Sequence, residues 1–375
     1  MNISMVDLRK QYLNIQTEID RAVLECIRST IYINGPKVKT FQTNLEQYLG
    51  VKHVIPCGNG TDALQIALMS LGLDRAAEVI VPAFTYVSTA EVIGLLGLTP
   101  VMIDVDEHTF HATAELIEQA ITAKTKAIIP VHLFGQSVDM EPIMKLATKH
   151  HLHVVEDNAQ GIGADYTSSD SRVQKVGTLG HMGCTSFYPS KNLGAYGDGG
   201  AMFTNDDDLA AKLRKIANHG QSKPYYHDYI GVNSRLDAVQ ATILDIKLKY
   251  LDAYAKARQT VAAYYDHAFR EIDALKVPVR QANSTHVFHQ YTLQVLNGKR
   301  DELKLYLQER GVPSMVYYPV PLHEQVAFKK LITQANLSLP VTQRLCKAVI
   351  SLPIHTEMEE EQLNYITDTV IRFFS

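Results

Sequence analysis

No stretch of this sequence approaches the roughly 18 consecutive apolar residues that a membrane-spanning helix requires. Its first residues, MNISMVDLRKQYLNIQ, lack the apolar core and small-residue cleavage site of a signal peptide. Cysteine is scarce. Cys26, Cys57, Cys184 and Cys346 are scattered, with no CxxC pair. That pattern offers neither a disulfide framework nor a zinc knuckle, and it fits a reducing, cytoplasmic location. No HExxH spacing occurs, and the cluster His150, His151 and His153 falls where a predicted helix meets a strand. No metal site is expected. Net charge is only −4, with no long basic run. Neither nucleic acid nor an anionic membrane is therefore an expected partner. An anionic ligand would need local basic groups and backbone donors.

What is present is a globular composition, 46% apolar and 20% charged. A chain of 375 residues exceeds one ordinary compact core. From about residue 50 to 205, short apolar runs alternate with helical patterns. The runs include Val54–Cys57, Val79–Val81, Val101–Ile103, Ala127–Val131, Val154–Val155 and Gly200–Thr204. Continuous apolar runs separated by helices predict buried strands of a mostly parallel α/β sheet with helices on both faces. After about residue 245 the texture changes. One long charged helix is expected over Leu244–Phe269, then strands near Val287–Val295 and a smaller α+β domain. The expected division is a helical segment 1–30 packing with the small domain, a large domain 31–245 and a small domain 246–375.

Four segments carry chemistry. In Cys57-Gly58-Asn59-Gly60-Thr61-Asp62-Ala63 a strand ends, a glycine-rich turn follows and a helix begins. Free N–H groups and the dipole at such a helix start favour an anion. The run also matches G-x-G-x-x-A, but the next strand ends in Pro82-Ala83-Phe84, without the acid that would hold a ribose. A phosphate site is favoured. A plain turn capped by Thr61 or Asp62 competes with it. Next, Phe84-Thr85-Tyr86 follows a strand, where an aromatic ring can stack on a planar ligand or simply pack. Third, Glu156-Asp157 closes a buried strand, with Gln160 after it. Buried carboxylates need a cation or donors, and a pyridinium nitrogen is such a cation. A helix-cap role for Asp157 is the alternative. Fourth, Lys191 lies in a proline-punctuated loop after Ser186. A lysine near its ordinary pKa of about 10.4 is a poor nucleophile, and desolvation makes imine chemistry accessible. A solvated loop lysine is the bland reading. The four occurring in this order strengthen one another.

GNGTDAL, PAFTYVSTA, EDNAQGIGA, TSFYPSKNLGAYGDGGA and GVNSRLDAVQA resemble the sugar aminotransferases of the DegT/DnrJ/EryC1/StrS family, over nearly the whole chain. The resemblance implies the fold-type I aminotransferase architecture, pyridoxal 5'-phosphate as cofactor (its pyridoxamine form during turnover), and a homodimer with shared active sites. By motif position, Lys191 would carry the cofactor as a Schiff base. Asp157 would face the pyridine nitrogen and Gln160 the phenolic oxygen. Tyr86 would stack on the ring, and Gly60, Thr61 and Ser186 would bind phosphate. Asn233 would reach the phosphate across the dimer. Some relatives replace the lysine with histidine and act as dehydratases, so Lys191 implies transamination.

VPAFTYVSTAE, FYPSKNLGAYGDGGA, HGQ at 219–221 and GVPSMVYYPVPLHEQ at 311–325 are most similar to 3-aminotransferases of UDP-2-acetamido-2-deoxy-3-keto-glucuronate, which serve surface polysaccharide synthesis. L-glutamate would be the donor. Arg235 would meet the uronate carboxylate through a bidentate pair, with an internal ion pair to Asp237 as the competing reading. Tyr317 stands where relatives often carry histidine, and Tyr318 and His323 would line the sugar site. Amination of a dTDP-3-keto-6-deoxyhexose is the alternative on the same scaffold.

Overall fold

The computed structural model describes residues 3–334 and 337–375. Helices α1 (Leu8–Ser29) and α2 (Pro36–Leu49) lead in. Strands and helices then alternate: β1 (His53–Cys57), α3 (Gly60–Leu71), β2 (Glu78–Pro82), α4 (Ser88–Leu95), β3 (Thr99–Ile103), α5 (Ala114–Ala120), β4 (Thr125–Ile128), α6 (Met140–His150) and β5 (His153–Asp157). A ribbon of β6 (Asp165–Thr167) and β7 (Val173–Lys175) precedes β8 (Met182–Ser186), β9 (Gly200–Thr204) and α7 (Asp207–Ala217). A second ribbon, β10 (Gln221–Lys223) and β11 (Tyr226–His227), leads to α8 (Ala238–Leu248) and α9 (Leu251–Phe269). The chain closes with β12 (Leu275–Lys276), β13 (Tyr291–Val295), α10 (Arg300–Glu309), α11 (Pro340–Ala348), β14 (Val349–Leu352) and α12 (Glu360–Phe374).

The main sheet runs β1-β9-β8-β5-β4-β2-β3. Only β9 opposes its neighbours, pairing antiparallel with β8 and β1. Its central strands are apolar because helices cover both faces. Leu64, Ile93 and Leu213 pack on one face, and Ile117, Ile143 and Leu146 on the other. Turn chemistry sets the helix boundaries. Pro36 opens α2, and Gly50 ends it at φ +67, a value that L side chains rarely adopt.

A three-stranded antiparallel sheet, β12-β13-β14, forms a separate core with α9, α10 and α12 around Tyr265, Leu293, Leu303, Ile350 and Ile366. Helix α1 touches both regions. Ile15 and Ile19 pack on Ile243 and Ile246 of α8, while Asn14 donates to Glu357 at 2.6 Å.

Two expectations change. The single helix over Leu244–Phe269 is two, because Lys249 and Tyr250 close a tight turn onto Ile246 and Lys247. The break lets α8 stay buried beside the main sheet while α9 crosses to the small one. The strand expected from Val287 begins only at Tyr291. Residues 286–290 instead lie against 134–135, with Val287 N donating to Gly135 O and Gln290 N to Phe134 O. Later, the segment after α10 returns to the main sheet. Leu322 N donates to Ala83 O at 3.0 Å, and Leu322 and Phe328 are buried in the α3–α4 core.

Candidate active site

Strands β1, β8, β5 and β2 all point the same way, so their carboxyl ends meet at one edge of the sheet. Open α/β sheets collect ligands there. β5 delivers Asp157, which is 4% exposed. Its Oδ2 accepts from Thr89 Oγ1 at 2.7 Å and its Oδ1 from Ala159 N at 3.1 Å. No helix starts here, so the helix-cap reading fails. Among the described residues the carboxylate has two donors and no ion pair. A buried carboxylate so placed suits a bound cation.

Glu156, one residue earlier, points into a different environment. It is fully buried and accepts from Gly177 N, Leu179 N and Gly180 N. His132 Nε2 lies 2.8 Å from it. His132 Nδ1 accepts from Val138 N at 3.1 Å, so Nε2 carries the proton and donates to Glu156. This pair pins the chain around Asp157 and leaves Glu156 no free oxygen for a ligand.

The loop after β8 folds back on itself. Lys191 N donates to Tyr188 O, and Ala195 N to Phe187 O. The Lys191 side chain is half-buried. Burial lowers that amine to about 8, while the nearby Asp157 carboxylate opposes the shift. A fully solvated lysine would not show that shift. His289 is buried beside Lys191 and Arg258, and desolvation with those cations holds its imidazole neutral.

Gln160 is oriented from both ends of its amide. Phe134 N donates to Oε1 at 2.7 Å, and Nε2 donates to the Tyr318 hydroxyl at 3.1 Å. Burial raises the Tyr318 hydroxyl well above its usual range. Its ring lies 6.1 Å from Phe84 and 6.3 Å from Tyr86. Phe84 is packed in the core, whereas Tyr86 is 55% exposed over the site.

The glycine turn forms a close-fitting cradle. Asn59, not Thr61 or Asp62, caps α3, accepting from Asp62 N at 2.8 Å. The amides of Gly60 and Thr61 are left at the helix start without an intrahelical partner. A Cβ on Gly60 would lie 2.6 Å from Ser186 Cβ, so only glycine admits this approach. Ser234, unforeseen from the sequence, braces the turn. It accepts from Gly58 N at 2.9 Å and donates to Asp62 at 2.6 Å. Two amides at a helix start, the Ser186 hydroxyl, an uncompensated carboxylate and a desolvated lysine fit a phosphorylated pyridine aldehyde.

The structure thus brings Gly60, Thr61, Ser186, Asp157, Lys191, Gln160, Tyr86 and Tyr318 to one sheet edge. Others stand apart. Asn233 is exposed, and its backbone bridges to Asn218. Arg235 Nη1 donates to Asn218 Oδ1 at 3.2 Å, and no ion pair to Asp237 forms. Tyr317 is half-buried, its ring 6.0 Å from that of Tyr318. His323 is nearly buried, 3.7 Å from Glu324, and among the described residues neither ring nitrogen has a hydrogen-bond partner. Thr89 was missed, although its position in FTYVSTA, four residues after Thr85, places a hydroxyl on the inner side of the helix start.

The model of the DegT/DnrJ/EryC1/StrS aminotransferase family matches residues 13–371. The "Pleiotropic regulatory protein" of Geobacillus stearothermophilus is 44% identical, over 100% of this chain and 99% of its own. The UDP-2-acetamido-2-deoxy-3-oxo-D-glucuronate aminotransferase of Pseudomonas aeruginosa is 43% identical, over 97% and 98%. The UDP-N-acetyl-3-dehydro-alpha-D-glucosamine 3-aminotransferase of Acidithiobacillus ferrooxidans is 44% identical, over 99% and 97%. Among solved structures, ntda from Bacillus subtilis with bound cofactor PMP superposes with a TM-score of 0.89 at 29% identity, over 96% of this chain and 82% of that one.

Proposed function

This chain belongs to the DegT/DnrJ/EryC1/StrS aminotransferase family, and on that premise we propose that it moves an amino group from L-glutamate to the 3-keto carbon of a UDP-linked 2-acetamido sugar, using pyridoxal phosphate. The observation that carries the reading is the half-buried Lys191 amine, lowered by desolvation, near a buried Asp157 carboxylate that makes no ion pair among the described residues. Gly60, Thr61 and Ser186 would hold the phosphate. Asp157 would keep the ring nitrogen protonated, and Gln160, oriented by Phe134 and Tyr318, would donate to the ring's oxygen. Tyr86 would cover the ring face. The bound cofactor supplies an electron sink for removing a proton beside an amine. Lys191 would hold it covalently through Nζ, then use the freed Nζ to take and return that proton.

Asn233 is exposed and has no side-chain bond to the cradle of its own chain, which supports its use by a second copy in a homodimer. No helix among the described residues is long and apolar enough to cross a membrane, which agrees with a cytoplasmic enzyme feeding surface polysaccharide synthesis. The two UDP-sugar relatives act on a uronate and on a neutral hexosamine. Arg235 favours the uronate, because among the described residues its guanidinium has Asn218 but no carboxylate partner. His323 and the Tyr317–Tyr318 pair would line the sugar.

The test is paired turnover. The 3-keto UDP-uronate, the 3-keto UDP-hexosamine and a dTDP-3-keto-6-deoxyhexose are each offered with L-glutamate, and 2-oxoglutarate is measured. The uronate is expected to turn over fastest. Arg235→Lys should lower its kcat/KM by about 10- to 100-fold, the loss of a bidentate charged hydrogen bond, and spare the hexosamine. Faster turnover of the dTDP sugar would reverse the assignment.

A further inference from the structure

Helix α8 touches the lysine loop at two points. Gln240 brackets Tyr196, accepting from its N at 2.9 Å and donating to its O at 3.3 Å. Seven residues on, and so on the same helix face, Lys247 Nζ donates to Gly194 O at 2.6 Å. Lys247 is 1% exposed and, among the described residues, makes no ion pair. The charge that acts on it is another cation, Arg258 of α9. The Tyr196 ring lies 5.2 Å from its amine. A buried ammonium without a carboxylate is costly, and here it donates to a carbonyl three residues from Lys191. That carbonyl sits in a tightly folded loop, since a Cβ on Gly194 would lie 2.3 Å from Pro189 O. The lead-in to the same helix carries Ser234, which braces the glycine cradle. One helix therefore locates both the anion site and the lysine.

We propose that Lys247 is a positioning residue for Lys191: from beneath the loop, with Gln240 beside it, its bond to Gly194 O holds Lys191 in register with the cradle that Ser234 anchors to the same helix. This rests on Lys191 being the residue that bonds the cofactor. The groups facing Lys191 are Asp157 of β5 and His289 of the loop before β13. A loosened loop admits water to Nζ and relaxes the desolvation that keeps its amine low.

The experiment uses full-length enzyme, stripped of cofactor and offered pyridoxal phosphate at a series of pH values, in wild type and Lys247→Met. Capture is read from the visible absorbance of lysine-bound cofactor, and borohydride reduction with peptide mass mapping identifies the residue labelled. Label on Lys191 in both proteins is expected. In Lys247→Met the midpoint pH of capture should rise, and kcat should fall at least about tenfold with the glutamate KM within about twofold, as for a misplaced catalytic group. An unchanged midpoint with kcat within about twofold of wild type overturns the proposal. Wild-type label on a residue other than Lys191 overturns the underlying assignment instead. Should Lys247→Met be insoluble, Gln240→Leu cuts the loop's other tie to α8 and carries the test with the same readouts.

Discussion

The pH at which the stripped enzyme captures pyridoxal phosphate is the sharpest consequence of the site. An ordinary lysine, with a pKa near 10.4, is a free amine in about one molecule in a thousand at pH 7.5. Burial brings Lys191 to about 8, which makes it free in about one molecule in four. The free-amine fraction at pH 7.5 is therefore about 200-fold larger than for an exposed lysine, and the capture rate should climb with pH to a plateau with a midpoint near 8. Asp157 opposes this shift. Asp157→Asn should move the midpoint lower and speed capture at pH 7, while turnover collapses because the ring nitrogen is no longer held protonated. Stability follows the same group. The unfolded chain binds the extra proton between about 8 and 10.4, so burying the charged amine costs most below about 8 and that cost fades as pH rises. Urea midpoints of the stripped enzyme, relative to Lys191→Met, should rise across that window. The assay is stopped-flow absorbance with Lys191→Ala as the blank. A midpoint near 10.4, or equal signal in the blank, would refute the reasoning.

Two further outcomes test the surroundings. Gly60→Ala places a methyl 2.6 Å from Ser186 Cβ, so affinity for pyridoxal phosphate should fall at least about tenfold, while pyridoxal without its phosphate binds as before; equal losses for both would show that the cradle does not hold phosphate. Thr89→Val removes one of the two donors on Asp157. That should destabilise the stripped enzyme by about 1.5–3 kcal/mol and the loaded enzyme by less, because a bound cation faces the same carboxylate; a larger loss in the loaded form would contradict the role given to Asp157.

Much of the site was legible because its parts are local. A glycine turn before a helix, an acid closing an apolar run and a lysine after a strand are each written within about ten residues, and the runs themselves marked strands β1, β2, β3 and β5. The helix-cap reading at Asp157 was separable only by the fold, which shows no helix starting there. The break between α8 and α9 was hidden because neither proline nor glycine marks it. The reversed direction of β9 was hidden because an apolar run looks the same either way. Thr89 on Asp157, Tyr318 on Gln160, Ser234 on Gly58 and Lys247 under Gly194 join residues 53 to 176 positions apart. Turns and helix starts are set by short-range sterics and hydrogen bonding, so the sequence alone set out the parts of the cofactor site in order along the chain. Strand order and helix packing decided which distant donor reaches which acceptor, because those contacts exist only once the apolar faces have been buried together.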